Sequence, residues 1–438
     1  MRQSIHSFHR TLALILCLAL GLLLGPAAQA AVHEKVLYSF TGGTDGAGPD
    51  SSLLLDRHGN LYGTTEGGGD QSCTIYGNPG CGVVFELTPS GKGKWQEQVL
   101  YAFQGGADGY WPSGNLVLDA SGNLYGTTMY GGNYTVCTGD GCGTVFELSP
   151  NEDGTWTKTV LYEFQYTSDG AYPSGLVFDK SGNLFGIATG GGNSRYGTIY
   201  ELSPSKQKGS AWTETTLYNF EDFLAQADPD LVFDSAGNLY GAWSGEDDWG
   251  AVFELKRTGK TWQETDLYDF LGGGYGGQPK AGVTLGRDGH VYGTGAYGGN
   301  DFGIAFELKH CTGQWTESMI YNFCSLNSCA DGAQPEAPLL LDPTGALYGT
   351  TAIGGIGCSF PGCGVVFKLA HTKTGWQETI VYSFKGVPDG RYPVGALTPD
   401  GKGNFYGATG AGGTGNSWGY GTVYELTLQS KTVQSALQ

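Results

Sequence analysis

The sequence predicts an all-β protein, a seven-bladed β-propeller with four antiparallel strands per blade, on three observations. First, glycine fills 77 of 438 positions while aromatic residues make up 13%. Glycine costs about 1 kcal/mol relative to alanine inside a helix, and so many aromatics exclude a disordered chain. Short strands joined by tight turns remain. Second, an L/V/I-Y-x-F element recurs with its tyrosine at 38, 101, 162, 218, 268, 321 and 382, setting seven units. Third, the phase of the repeat implies closure. A lone last-strand element, Val32 to Phe40, opens the pattern and a third-strand element, Gly421 to Leu426, ends it, so the N-terminal strand is expected to join the last blade. A β-solenoid is the alternative, but it prefers shorter coils and capping units.

Taken in order, residues 1–30 read as a secretory leader, with Arg2 and Arg10, an apolar run from Leu12 to Leu24, and Ala28-Gln29-Ala30 as a small-x-small cleavage site after Ala30. The propeller is expected over 31–428 and a polar tail over 429–438. No other apolar run approaches the roughly 18 to 20 residues of a membrane span, so the expectation is a secreted or periplasmic monomer without membrane insertion. The balance of 23 basic against 42 acidic residues gives a net charge of -19, which repels phosphate backbones and excludes nucleic acid as a partner.

In the first unit, strand a is read from Ser52 to Asp56, b from Leu61 to Thr65, c from Gly82 to Leu87 and d from Trp95 to Phe103. The a-to-b turn carries glycine in every unit (Gly59, Gly122, Gly182, Gly237, Gly289, Gly345, Gly403), as a positive φ requires. An aspartate three positions earlier caps it in six units, Gly286 being the exception. The strand aromatics, Tyr62 on b and Phe85 on c with their equivalents, are assigned to the core, and the glutamate after the c aromatic (Glu86 and its equivalents, with Lys368 departing) to cross-strand pairs.

The run from Asp119 to Leu148 (D-x-x-G-N-L-Y-G-T-T, then G-G-N and G-T-V-F-E-L) resembles the GloVer-type tandem repeat of secreted bacterial proteins, across essentially all of the chain after the leader. The resemblance implies a propeller-like repeat and assigns no activity. The a-to-b motif alone is also similar to streptogramin-lyase-like and NHL repeats, a shorter match that carries no chemistry.

Eight of the nine cysteines after the leader fall in close pairs, Cys73 with Cys81, Cys137 with Cys142, Cys324 with Cys329 and Cys358 with Cys363, and these are expected to form disulfides in an oxidising compartment. Cys311 is left over, and the spacing lacks the C-x-x-C of a zinc site. In a propeller the d-to-a and b-to-c connectors share one face. That face receives all four cysteine pairs and the Asp-Gly connectors, and it is the expected binding face. Its candidate ligand-binding residues are Asp108, Tyr110, Trp111, Asp169, Tyr172, Asp389, Arg391, Tyr392 and Trp418. Aromatic rings beside carboxylates suit sugars, so a carbohydrate-binding module is the leading reading, for a polysaccharide or a cell-surface partner. A glycan-active hydrolase or lyase using carboxylates such as Asp108 and Asp169, and a structural surface protein without a small ligand, are the alternatives. Trp111, Tyr172 and Tyr392 each precede a proline, which predicts an extended backbone there. Of the histidines after the leader, His58, His290, His310 and His371 fall in turns of the opposite face and His33 in the closing strand, which argues against histidine-based catalysis. No cofactor or metal is expected; Glu246-Asp247-Asp248 lacks the spacing of a calcium loop.

Overall fold

The computed structural model describes residues 32–428 apart from 76, 138, 206–210, 222–229, 246–248, 260, 312 and 360. The expected leader, the tail and Glu246-Asp247-Asp248 lie outside the described residues. Seven antiparallel sheets follow one another in the strand order a-b-c-d. In blade 2 the strands are Tyr110–Leu118, Leu124–Tyr130, Thr144–Pro150 and Trp156–Glu163. Blade 7 takes Gly390–Pro399, Asn404–Gly412 and Thr422–Leu428 from the end of the chain and Val32–Ser39 from its start, Val32 pairing with Leu428. The expected closure is observed.

Blade 1 shows where local reading stops short. Its strand a divides into Ala47–Pro49 and Leu54–Leu55, while c runs over Val83–Gly91 and d over Lys94–Ala102. Strand c exceeds its expected end because the c-d ladder continues to Gly91 and Lys94, enclosing Lys92 and Gly93 at φ 51° and 70°. Positive φ at both central residues is the hairpin turn whose twist matches the strands.

The L-Y-x-F element explains most of the packing. Each c-d ladder is bulged at the residue before the tyrosine, and Leu100, Leu161, Leu267 and Ile320 at that bulge are buried. The phenylalanine locks the next blade. Phe40, Phe103, Phe164, Phe220, Phe270, Phe323 and Phe384 lie with ring centroids 4.9–6.1 Å from Phe85, Phe146, Tyr200, Phe253, Phe306, Phe367 and Tyr424. Every seam therefore repeats one aromatic pair, each contributing about 0.5–1.5 kcal/mol beyond its buried area. The core is a ring of clusters that draw on two neighbouring blades, such as Phe40, Leu61, Val83 and Phe85 with Tyr406, Ala408 and Val423. The glutamate after the c aromatic pairs as expected, with Tyr62 and Tyr240 donating to Glu86 and Glu254 at 2.8 Å and Tyr292 to Glu307 at 3.1 Å.

Strands a of adjacent blades touch, which places them around the axis. Asn115 accepts from the Leu176 N–H at 3.0 Å and donates to its carbonyl at 3.3 Å. Among the described residues no helix is long and apolar enough to cross a membrane; the helical segments are single 3-10 turns.

Candidate binding face

The d-to-a and b-to-c connectors are tied into one layer. The N–H groups of Gly69, Gly132, Gly355 and Gly413 donate to the carbonyls of Gly43, Gly106, Cys329 and Asp389 at 2.8–3.0 Å. Gly131, at φ 88°, has no room for a side chain, since a Cβ would lie 2.4 Å from Gly109 Cα. The four expected disulfides are present in these connectors. Such bridges belong to an oxidising compartment. Cys311 is exposed at the end of strand c of blade 5, Ile304–Cys311.

The Asp-Gly connectors are held by the tyrosine of L-Y-x-F. Tyr38, Tyr101, Tyr162, Tyr321 and Tyr382 donate to Asp45, Asp108, Asp169, Asp331 and Asp389 at 2.7–3.0 Å. The backbone N–H of Gln104, Gln165 and Lys385 adds 2.8–2.9 Å bonds to Asp108, Asp169 and Asp389. Asp169 is 5% exposed, and Asp108 also pairs with the Lys158 ammonium at 2.9 Å. These carboxylates are engaged inside their own connectors.

The pre-proline residues overturn one expectation. Trp111, Tyr172 and Tyr392 have φ of 56°, 58° and 56°, as Gln278 and Gln334 have 49° and 55° at the equivalent positions. Local proline sterics are outweighed by the neighbouring blade. The N–H groups of Trp111, Tyr172, Gln278, Gln334 and Tyr392 donate to the carbonyls of Cys81, Cys142, Trp249, Phe302 and Cys363 at 2.6–3.1 Å. The following proline ring then covers the glycine just before strand c of the neighbouring blade. A Cβ on Gly82, Gly143 or Gly364 would meet Pro112, Pro173 or Pro393 Cδ at 2.4–2.5 Å. A backbone held at positive φ by its surroundings fixes the direction of the side chain.

Several predicted residues meet through these rings. Tyr110 stacks on Tyr130 at 5.3 Å, and Tyr130 meets Trp111 edge-on at 5.9 Å and Tyr172 at 5.6 Å. Trp111 Nε1 donates to Glu66 at 2.9 Å and the Tyr110 hydroxyl to Asp140 at 3.1 Å. Beside this chain, between the loops of blades 1 and 2, lies a cleft of about 280 Å³ lined by Tyr110, Tyr134, Gln104, Asp140 and the Cys73–Cys81 bridge. Burial pushes the Tyr134 hydroxyl above its ordinary value. In blade 7, Tyr392 and Trp418 lie nearly parallel at 6.5 Å with the Arg391 guanidinium against both. Glu66 and Asp140 were not singled out from sequence. Glu66 was legible, because the equivalent residues are Met129, Thr189, Ala296 and Ala352.

A larger cleft, about 590 Å³, opens on the hairpin face between blades 5 and 6. Its floor is Leu285 and Leu339 to Leu341, the apolar rows of two short strands a, and its rim is Arg287, Asp288 and Asp342. Nearby His290 bonds Glu307 at 2.8 Å and Asp288 at 3.1 Å. Aromatic platforms and preset backbone belong to the loop face, so the functional assignment follows chemistry rather than volume. No group of three or more potential metal-ligating side chains is assembled among the described residues.

A family model described as the Gloeobacter/Verrucomicrobia repeat matches residues 28–244 and again 228–438. No curated protein matches. Among solved structures, a protein of unknown function from Dyadobacter fermentans is similar at 13% identity, covering 91% of this chain and 99% of its own, with a TM-score of 0.49. A putative 6-phosphogluconolactonase from Bacteroides uniformis matches at 15% identity over 75% and 83%, TM-score 0.47. A PQQ-bound aldose sugar dehydrogenase from Streptomyces coelicolor matches at 13% over 92% and 100%, TM-score 0.44. Similarity at this level transfers no chemistry.

Proposed function

From a chain that belongs to the Gloeobacter/Verrucomicrobia repeat family and carries preset aromatics on its loop face, we infer a secreted or periplasmic module that binds carbohydrate polymers. The reading rests above all on Trp111, Tyr172 and Tyr392, whose backbones are fixed at positive φ by bonds to the neighbouring blade. Preorganised rings lose little entropy on binding, and the apolar C–H faces of a sugar stack on them while its hydroxyls reach polar groups such as Asp140 and Gln104. The carboxylates considered for hydrolysis, Asp108 and Asp169, each bond a tyrosine and backbone N–H groups of their own connector, which favours binding over turnover. The leader ends at Ala30 and the propeller acts as a monomer.

Single contacts of this kind are millimolar, and a polymer spanning several gains by multivalency. Affinity electrophoresis on a polysaccharide panel tests this. The native protein is expected to be retarded more by long chains than by short oligomers, and Trp111→Ala and Tyr172→Ala to weaken retardation about tenfold, the scale of a modest hot spot. Absence of retardation on every polysaccharide would falsify the reading. Release of reducing ends, abolished by Asp108→Asn or Asp389→Asn, would replace binding by catalysis.

A further inference from the structure

Arg391 sits between two aromatic rings with no acid of the described residues beside it. Lys158, Lys280 and Lys309 are paired with Asp108, Glu336 and Glu307 at 2.7–3.0 Å, whereas no carboxylate of the described residues lies within ion-pair distance of Arg391. Its Nε is buried with no acceptor. Its Cζ lies 4.9 Å from the Tyr392 ring centroid and 4.5 Å from that of Trp418, two rings 6.5 Å apart and inclined by 15°. Trp418 is 56% exposed, so much of its ring remains open to solvent.

Both rings are built in. Tyr392 is anchored by its N–H to the Cys363 carbonyl, inside the Cys358–Cys363 bridge, and Pro393 closes on Gly364. The turn carrying Trp418 is tied by Asn416, which accepts from the N–H groups of Trp418 and Gly419 at 2.8 and 3.0 Å, and the Trp418 carbonyl accepts from Gly412 at 2.7 Å. A guanidinium partly stripped of water by two rings and lacking a counter-ion is set to accept a carboxylate, which it matches with two parallel N–H···O bonds.

We propose that Arg391, Tyr392 and Trp418 form a subsite for a hexuronate residue, so that the polymer bound is an acidic, uronate-containing polysaccharide. In a uronate the carboxylate is attached directly to the ring. A ring seated on the open part of Trp418 therefore presents its carboxylate to the guanidinium beside it. The proposal rests on the carbohydrate-binding reading and names the class of sugar. Diffuse charge attraction is no rival source of binding, because the chain carries a net charge of -19 and repels polyanions at long range.

The experiment is affinity electrophoresis with polygalacturonate and alginate, against hydroxyethylcellulose and galactomannan as neutral polymers and dextran sulfate as an anion without a uronate ring. The native protein, R391Q, R391K and W418A are compared after their thermal midpoints are matched. The native protein should prefer the uronate polymers at least tenfold, R391Q should lose that preference, its retardation on the uronate polymers falling to the level on the neutral ones, and R391K should retain a fraction of it. W418A should weaken every interaction. Equal retardation on neutral and uronate polymers, or a preference that survives in R391Q, overturns the uronate subsite and leaves carbohydrate binding standing. Equal retardation on dextran sulfate also overturns it, because charge alone would then suffice. Retardation on none of the five overturns both readings.

Discussion

Two kinds of seam separate the blades. Strand d carries a W-x-E pattern, and the third position is Glu97, Glu214, Glu264, Glu317 and Glu378 in five blades, with Glu34 after Val32 in the closing strand, but Lys158 in blade 2. At the blade 1–2 seam the Lys158 ammonium bonds the Asp108 carboxylate and carbonyl and sits over the Tyr101, Phe103 and Phe146 rings at 5.3–5.8 Å. Burial lowers its affinity for a proton, and Asp108 opposes that. The other seams place a carboxylate in the same location. Glu34, Glu97, Glu214, Glu264 and Glu378 are pushed up to about 7, first by burial and then by Asp389, Asp45, Asp169, Asp266 and Asp331 beside them. Glu317, whose preceding connector carries no acid, is raised by burial alone. One Oε1 each of Glu34, Glu97, Glu317 and Glu378 is buried without a partner. The difference teaches that geometry is constant around the ring while charge balance is not: one seam holds an ion pair, and the others hold carboxyls whose affinity for a proton is raised by burial.

The comparison breaks most directly at Lys158→Glu, which sets a carboxylate against Asp108 on a site whose side chain is 4% exposed. Losing a buried partner and adding a like charge should cost about 3–5 kcal/mol, read as a lower denaturant midpoint at pH 8. The loss should shrink at pH 5, where the new carboxyl holds its proton; a loss independent of pH would show that packing rather than charge distinguishes this seam.

A second prediction concerns the unaltered ring. Each of the five glutamates titrates near 7 when folded against an ordinary value of 4.5, so the folded state binds the extra protons. The stability these protons contribute is therefore fully present below about 4.5 and is lost as pH rises through about 7, which thermal unfolding from pH 4.5 to 8.5 measures. Glu97→Gln and Glu378→Gln should each raise stability at pH 8 by about 1 kcal/mol and leave it unchanged near pH 4.5. A flat profile in the native protein would place these carboxylates in contact with water.

The smallest effect lies in the aromatic lock itself. Tyr200 and Tyr424 occupy positions that are phenylalanine in the other five blades, and their hydroxyls are buried without a partner. Tyr200→Phe and Tyr424→Phe should each stabilise the fold by about 1 kcal/mol in denaturant unfolding, since an unmet hydroxyl is removed at nearly constant volume.

Much of this architecture was legible. The spacing of Tyr38, Tyr101 and their equivalents marks the seven units, and the cysteine intervals mark the four bridges, because both are local patterns. The seams were not, because Glu97 alternates with exposed Gln96 and Gln98 like any solvated charge, and the burying partner comes from another blade. Trp111 shows the same limit at the candidate site: its local pre-proline preference is extended, and a carbonyl 30 residues away, Cys81, reverses it. The tyrosine-to-aspartate bonds of the connectors did carry a sequence signal, a constant interval from Tyr38 to Asp45, Tyr101 to Asp108, Tyr162 to Asp169 and Tyr382 to Asp389.

The union of Val32–Ser39 with Thr422–Leu428 also sets an order of events. Six blades are assembled from hairpins whose halves are neighbours in the chain, whereas the seventh joins strands separated by nearly its whole length. Bringing such distant segments together costs about 3 kcal/mol more loop entropy than closing a hairpin of about 15 residues. The clasp should therefore form last and open first. Because a chain is made from its N-terminus, Val32–Ser39 stands as an unpaired edge until Leu428 has followed, and the same clasp is the point from which mechanical tension would unravel the ring.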